Sequence, residues 1–113
     1  MPPFRLILDK QLPIAAGLGG GSSDAGATLR LLREALGQPM QDEALNAIAA
    51  ELGSDGVACL WGETVIGEGR GEKLVVAPGM PVLDAVLVNP RVASPTGAVY
   101  RAYDEAGAPG NAE

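Results

Sequence analysis

The chain has 113 residues, with 14 Asp and Glu, 8 Lys and Arg, no His and one Cys. These counts exclude an imidazole base, an imidazole metal ligand, an internal disulfide and a metal site built from several thiolates. The net charge of −6 argues against nucleic acid or an anionic membrane surface as a partner, and no apolar stretch reaches the roughly 20 residues that a spanning helix needs. We therefore expect a soluble, cytoplasmic protein.

The first third of the chain predicts a strand, a glycine-rich loop and a helix in direct succession. Residues 4–12 are rich in strand formers and end before Pro13, which cannot donate to a ladder. Four of the five residues 17–21 are Gly, and Ser22 or Ser23 can cap the helix that follows. That helix ends at Gly37 and is predicted from apolar residues at helical spacing, which are Ala25, Leu29, Leu32 and Leu36.

The rest of the chain predicts two further helices and three strands. One helix covers residues 41–52, and Gly53 stands just past its end. One face of this helix carries Leu45, Ile48, Ala49 and Leu52. The turn Arg70-Gly71 joins the first two of three strands, which are predicted at residues 64–69, 73–77 and 82–88. Ser94 and Pro95 offer a cap and a first-turn proline for a helix to about residue 104, and residues 107–113 are expected to fray.

The glycine-rich loop is the segment whose composition points to chemistry. Glycines let backbone N–H groups converge and let a polyphosphate approach closely, while the start of the following helix adds free N–H donors and a positive dipole end. The alternative is a flexible connector. The segment is not a Walker A loop because no Gly-Lys-Ser/Thr follows, and Ser22 stands where the dinucleotide fingerprint requires its last Gly or Ala.

The loop resembles the second motif of the GHMP kinase superfamily, which lies on the phosphates of ATP. The matching residues are Pro13, Gly17, Leu18, Gly19, Gly20, Gly21, Ser22 and Ser23. With the downstream residues 67–74, the pattern is most similar to the 4-diphosphocytidyl-2-C-methyl-D-erythritol kinase family, and the resemblance covers nearly the whole chain. It implies that the ATP-binding residues are Lys10, Pro13, Ile14, Ala15, Ala16, Gly17, Leu18, Gly19, Gly20, Gly21, Ser22 and Ser23.

The resemblance also implies a catalytic residue and a substrate contact. Asp55, in Leu52-Gly53-Ser54-Asp55, stands where the family has its catalytic aspartate, and Tyr100 stands where an aromatic packs on the substrate's cytosine. The alternatives are an Asp in a helix-ending turn and a core residue on a helix face. Family members usually continue with Val-Pro, so Gly56-Val57 predicts a looser backbone behind the carboxylate.

Two charged residues flank the loop. The resemblance implies that Lys10 lines the adenine pocket, whereas the alternative is a solvated strand end. Asp24 would repel phosphates unless a bridging Mg²⁺ turned repulsion into attraction; the alternative is stabilisation of the helix dipole. Phosphoryl transfer implies Mg²⁺ as a cofactor beside ATP, but the sequence assigns it no ligands.

The fold implied by the resemblance is α+β, a two-layer sandwich of the GHMP kinase type that is incomplete at both ends. Residues 1–77 correspond to the later part of the N-terminal domain, and residues 78–113 to the beginning of the C-terminal domain. Three features of the family have no counterpart in this sequence. They are the N-terminal strand that carries a catalytic lysine, the histidine and aromatic pair that holds the cytosine, and the C-terminal glycine-rich motif that closes over ATP.

The implied function is ATP-dependent phosphorylation of a hydroxyl of 4-diphosphocytidyl-2-C-methyl-D-erythritol in non-mevalonate isoprenoid synthesis. Because positioning groups are missing, we expect the 113-residue chain alone to be inactive. The alternatives are an inactive fragment that retains residual nucleotide binding, and another GHMP enzyme such as homoserine or mevalonate kinase. A dehydrogenase fragment is rejected, because Asp42, about 20 residues after the loop, lies in a helical pattern rather than at a strand end.

Overall fold

The computed structural model describes residues 3–37 and 39–107. Within these ranges the chain forms helices and one antiparallel hairpin, which confirms the α+β class. In chain order the elements are α1 (Gly20–Leu36), α2 (Asp42–Leu52), α3 (Gly56–Trp61), β1 (Val65–Glu68), β2 (Lys73–Val76) and α4 (Thr96–Glu105). No helix in this part of the chain is long and apolar enough to cross a bilayer. Of the tail predicted to fray, residues 108–113 lie outside the described residues.

Helix α1 begins earlier than the sequence predicts. Gly19 is its N-cap, in the left-handed region with φ 67°, and the backbone N–H of Ser23 donates to the Gly19 carbonyl at 3.0 Å. The prediction that Ser22 or Ser23 caps this helix is therefore wrong, because both serines lie inside its first turn. Gly37, also left-handed at φ 58°, ends α1 as predicted.

The core lies where α1, α2 and α3 meet. Its buried side chains are Leu45, Ala49 and Leu60, and Leu29, Val57 and Trp61 pack against them. Helix α2 follows the predicted range closely, but α3 is absent from the sequence predictions because six residues are too few to reveal a helical period.

Two glycines let the three helices approach closely. A Cβ on Gly26 of α1 would lie 2.6 Å from the Cys59 carbonyl oxygen and 2.9 Å from the Leu60 Cα, both in α3. A Cβ on Gly56 would overlap the Ala49 carbonyl oxygen of α2. Both glycines are buried. The three helices can pack this closely only because Gly26 and Gly56 have no Cβ.

The hairpin confirms two predicted strands. Val65 pairs with Val76 and Glu68 with Lys73 in an antiparallel register, and the turn between the strands contains Arg70-Gly71 as predicted. The tip is closed by a bond from the Gly71 N–H to the Glu68 carbonyl at 3.1 Å.

Two predicted strands, residues 4–12 and 82–88, are wrong as elements of this structure. Neither segment forms a ladder, since the hairpin is the only sheet among the described residues, and their apolar side chains are largely exposed. A strand-like composition cannot form a strand without a partner edge. The sheet layer of the expected two-layer sandwich is likewise not formed by the described residues. Helix α4 begins at Thr96 with Pro95 as its N-cap, so the predicted cap at Ser94 is also wrong.

Candidate active site

The glycine-rich loop adopts a backbone that favours anion binding. Ala15, Gly17 and Gly19 have positive φ values of 56°, 71° and 67°, whereas Ala16 and Leu18 between them do not. Alternating backbone of this kind turns successive N–H groups toward one side and forms concavities for anions. The loop leads directly into α1, whose first N–H groups have no partner within the helix. The N–H groups of the loop and those of the first turn of α1 therefore lie next to each other.

A cavity of about 280 Å³ lies along this loop. Its lining includes every predicted ATP-binding residue except Ser23, whose backbone N–H closes the first turn of α1 instead. The complete lining is Lys10, Leu12, Pro13, Ile14, Ala15, Ala16, Gly17, Leu18, Gly19, Gly20, Gly21, Ser22 and Thr96. The structure thus brings the predicted residues together around one space.

Lys10 and Asp24 form an ion pair at the edge of the cavity. The Lys10 Nζ lies 2.5 Å from the Asp24 Oδ2, and the Lys10 side chain is 24% exposed. A Cβ on Gly20 would lie 3.1 Å from the same Nζ, so the ammonium group sits against the first turn of α1. The Lys10 charge therefore offsets the charge of Asp24, the carboxylate that is predicted to lie beside the phosphates. Lys10 is partly buried, not a solvated strand end.

Asp55 is the N-cap of α3, but its carboxylate does not cap that helix. Instead, Ser22 Oγ in the first turn of α1 donates a hydrogen bond of 2.9 Å to Asp55 Oδ1. The other carboxylate oxygen, Oδ2, lies 3.6 Å from the position of a Cβ on Gly19. The backbone of Asp55, at φ −93° and ψ 2°, occupies the sparsely populated bridge region in which many active-site residues lie. The side chain thus faces the loop.

Cys59, one turn into α3, also contacts Asp55. Its thiol donates to Asp55 Oδ2 at 3.9 Å. Burial raises the pKa of the Cys59 thiol above its ordinary value, and the charge of Asp55 and its hydrogen bond to the thiol raise the pKa further. The thiol is therefore kept protonated and acts as a weak donor to the carboxylate.

Gly56 does not give the loose backbone that the sequence predicts behind Asp55. The residue is buried against α2, and its N–H donates to the Gly53 carbonyl at 3.0 Å. Glycine at this position therefore permits a close helix contact, which holds the start of α3 in place.

Comparison with known proteins assigns this loop and core to a family. A family model described as the GHMP kinases N terminal domain matches residues 2–63, which include the loop, α1, α2 and Asp55. The chain belongs to the GHMP kinases. No solved structure matches this GHMP kinase chain significantly.

Three curated relatives of the GHMP kinase chain share one name, 4-diphosphocytidyl-2-C-methyl-D-erythritol kinase. The protein from Caulobacter sp. strain K31 is 71% identical over 108 residues, which are 96% of this chain and 37% of the relative. The protein from Caulobacter vibrioides strain NA1000 is 66% identical over 92% of this chain and 36% of its own length. The Rhizorhabdus wittichii protein is 50% identical over 91% of this chain and 35% of its own length. The chain thus spans little more than a third of these relatives.

Two residues of the GHMP kinase chain complete the comparison with the sequence predictions. Tyr100 lies on α4 with 67% of its surface exposed and does not line the loop cavity, and its contact with the substrate's cytosine stays a prediction. Thr96, at the first position of α4, lines the cavity although the sequence did not indicate it. No local signal could have found Thr96, because it is far from the loop in the chain.

Proposed function

We propose that this chain supplies the phosphate-holding loop and the acceptor-side carboxylate of an ATP-dependent small-molecule kinase. The observation that carries the proposal is the hydrogen bond from Ser22 to Asp55, which ties the candidate catalytic carboxylate to the phosphate loop across 33 residues of chain. An aspartate with only a capping role would bond the N–H groups of its own helix, and Asp55 does not.

Phosphoryl transfer relies mainly on positioning and on neutralising charge, which this site can provide. The loop N–H groups and the first turn of α1 would hold the phosphates of ATP. Asp55 would orient the attacking hydroxyl and accept its proton as the bond to phosphorus forms. Mg²⁺ is proposed to arrive bound to the phosphates of ATP, the form in which it is usually held in kinase sites.

The acceptor that we propose is 4-diphosphocytidyl-2-C-methyl-D-erythritol, and the pathway is isoprenoid synthesis. The name shared by the Caulobacter and Rhizorhabdus relatives supports this substrate over those of homoserine and mevalonate kinases. Because the chain covers only 37% of the Caulobacter sp. relative, the complete reaction is proposed for a protein of that relative's length. Nucleotide binding alone is the second candidate for the 113-residue chain, since Tyr100 is exposed and outside the loop cavity.

The two-layer sandwich belongs to the same proposal. Residues 4–12 and 82–88 have strand-forming sequences and exposed apolar side chains, with Ile7 80% and Val82 98% exposed. We propose that both segments become strands where further chain, as in relatives of full length, supplies partner edges, with the domain boundary near Pro78-Gly79. The boundary remains a prediction.

Titration of the isotope-labelled chain with MgATP tests the phosphate site. We expect the largest amide chemical-shift changes at residues 19–23, because the loop and the start of α1 hold the phosphates. Changes confined to residues 67–74 would contradict the placement. Asp55→Asn serves as a matched variant, since it should leave these ATP-induced shifts in place.

Catalysis is tested in a chimera, in which this chain replaces the matching residues of the Caulobacter sp. K31 kinase. Asp55→Asn should lower kcat by about 100-fold or more while the KM for ATP changes little, because the carboxylate acts on the acceptor hydroxyl. An unchanged kcat would remove Asp55 from the mechanism. The isolated chain should show no measurable phosphate transfer.

A further inference from the structure

The tip of the hairpin lies directly against the backbone that precedes Asp55. Gly71 has a positive φ of 99°, and a Cβ at this position would overlap the Ser54 carbonyl oxygen and lie 2.9 Å from its carbonyl carbon. Ser54 is the residue before Asp55, so its carbonyl carbon belongs to the peptide bond that carries Asp55. Only glycine satisfies both the left-handed backbone and the close approach.

The hairpin tip is held in its own conformation by local hydrogen bonds. The carboxylate of Glu72 accepts from the Arg70 N–H at 2.6 Å, while the Gly71 N–H donates to the Glu68 carbonyl at 3.1 Å. Backbone hydrogen bonds from Glu72 itself and from Arg70 lower the pKa of the Glu72 carboxyl. The tip therefore has a defined shape against which the Ser54-Asp55 peptide can rest.

The opposite side of Asp55 is held by α1, and there is space beside the turn into which it could move. Ser22 fixes the carboxylate through its hydrogen bond. A cavity of about 270 Å³ separates the end of α2 from the hairpin tip, and its lining includes Gly53, Ser54, Arg70 and Gly71. The Ser54-Asp55 turn is therefore not packed on every side. Where the turn faces the hairpin, the contact between Gly71 and Ser54 limits its movement.

We propose that Gly71 is a positioning residue, which keeps the Ser54-Asp55 turn in the place where the carboxylate faces the phosphate loop. The proposal rests on the proposed function, because it concerns the residue that is taken as the proton acceptor. The hairpin lies outside the phosphate loop. The proposal gives it a part in the geometry of the reacting site.

The test compares Gly71→Ala with Gly79→Ala in the whole chain. Both glycines have positive φ values, 99° and 73°, but nothing lies within 4 Å of a Cβ on Gly79. Both variants therefore carry the backbone strain of a left-handed alanine, and only the first displaces Ser54. Without nucleotide, Gly71→Ala should shift the amides of residues 54–56 and the Asp55 carboxyl carbon, whereas Gly79→Ala should leave them unchanged. Equal shifts in the two variants, or no shift in either, would overturn the proposal.

A second variant covers the case in which Gly71→Ala does not fold. Glu72→Gln leaves the space at Gly71 open and weakens the carboxylate bond to Arg70, so it should loosen the tip without a clash. Smaller shifts at the same residues 54–56 are expected. Their absence in a folded Glu72→Gln chain, shown by preserved shifts in β1 and β2, would also overturn the proposal.

A kinetic measurement separates positioning from general loss of structure. In the K31 chimera, Gly71→Ala should lower kcat by about 10- to 100-fold with an unchanged KM for ATP, because a displacement near 1 Å misplaces the carboxylate but not the loop. A rise in the KM for ATP without a fall in kcat would overturn it. Failure of the proposed function would appear separately, as the absence of ATP-induced shifts at residues 19–23 of the unsubstituted chain.

Discussion

Gly26→Ala gives the clearest test of how α1 and α3 pack. An alanine in a helix interior is normally more stable than glycine by roughly 0.5–1 kcal/mol. Here the new methyl group would lie 2.6 Å from the Cys59 carbonyl oxygen and 2.9 Å from the Leu60 Cα. Since 3.4 Å is an ordinary contact distance, α3 must retreat by about 0.8 Å. Both atoms belong to backbone, so no side-chain rotation can relieve the overlap.

The retreat of α3 outweighs the gain in helix propensity. A radial gap of 0.5–1 Å removes about a quarter to a half of each dispersion contact, and Leu60 is completely buried in this interface. Overpacking of this kind costs roughly 1–3 kcal/mol. We expect Gly26→Ala to lower the free energy of unfolding by about 1–2 kcal/mol after the propensity gain is included.

Urea unfolding followed by circular dichroism measures this difference. With a slope of about 1–2 kcal/mol per molar, the midpoint of Gly26→Ala should fall by roughly 1 M. Gly21→Ala, in the same helix with nothing within 4 Å of its Cβ, is the matched control and should unfold at an equal or higher midpoint. A midpoint for Gly26→Ala at or above that of the native chain would refute the close-packing argument.

Two further predictions concern α3. Because the pKa of the Cys59 thiol is raised, alkylation by iodoacetamide in mildly alkaline buffer should be slower than that of free cysteine. Asp55→Asn should accelerate the reaction, because it removes the negative charge beside the thiol and weakens the hydrogen bond from the thiol; an unaltered rate in that variant would contradict the contact. Trp61→Phe removes the hydrogen bond from the indole N–H to Asn46 Oδ1 at 2.7 Å and should lower the free energy of unfolding by about 0.5–1.5 kcal/mol. A double-mutant cycle with Asn46→Ala shows whether this bond accounts for the loss.

Local sequence patterns predicted the elements whose stability is local. Helix α2 shows a clear apolar period and a terminal Gly53, and the hairpin has its own turn at Arg70-Gly71. Residues 82–88 have an equally strong strand composition, yet they form no strand, because a ladder requires a partner that composition does not specify. Composition predicts the preference of a segment, whereas pairing depends on the rest of the molecule.

The sequence predicted those parts of the candidate site that depend on adjacent residues. The glycine pattern at residues 17–21 located the loop, because phosphate-binding backbone needs particular residues at adjacent positions. The bond between Ser22 and Asp55 joins residues 33 positions apart, and no periodicity links them. The resemblance predicted both Ser22 and Asp55 as site residues, but the hydrogen bond between them and the place of Thr96 in the cavity became evident only from the three-dimensional arrangement.

The location of Ser22 and Asp55 at the starts of two packed helices has a consequence for folding. The core joins α1, α2 and α3, which follow one another within residues 20–61, so its contacts close short loops and should form rapidly. Asp55 reaches Ser22 only when α3 docks on α1, and the same docking buries Leu60. We therefore expect the site and the core to form together, so that a ligand that binds only the docked helices shifts the equilibrium toward the folded chain.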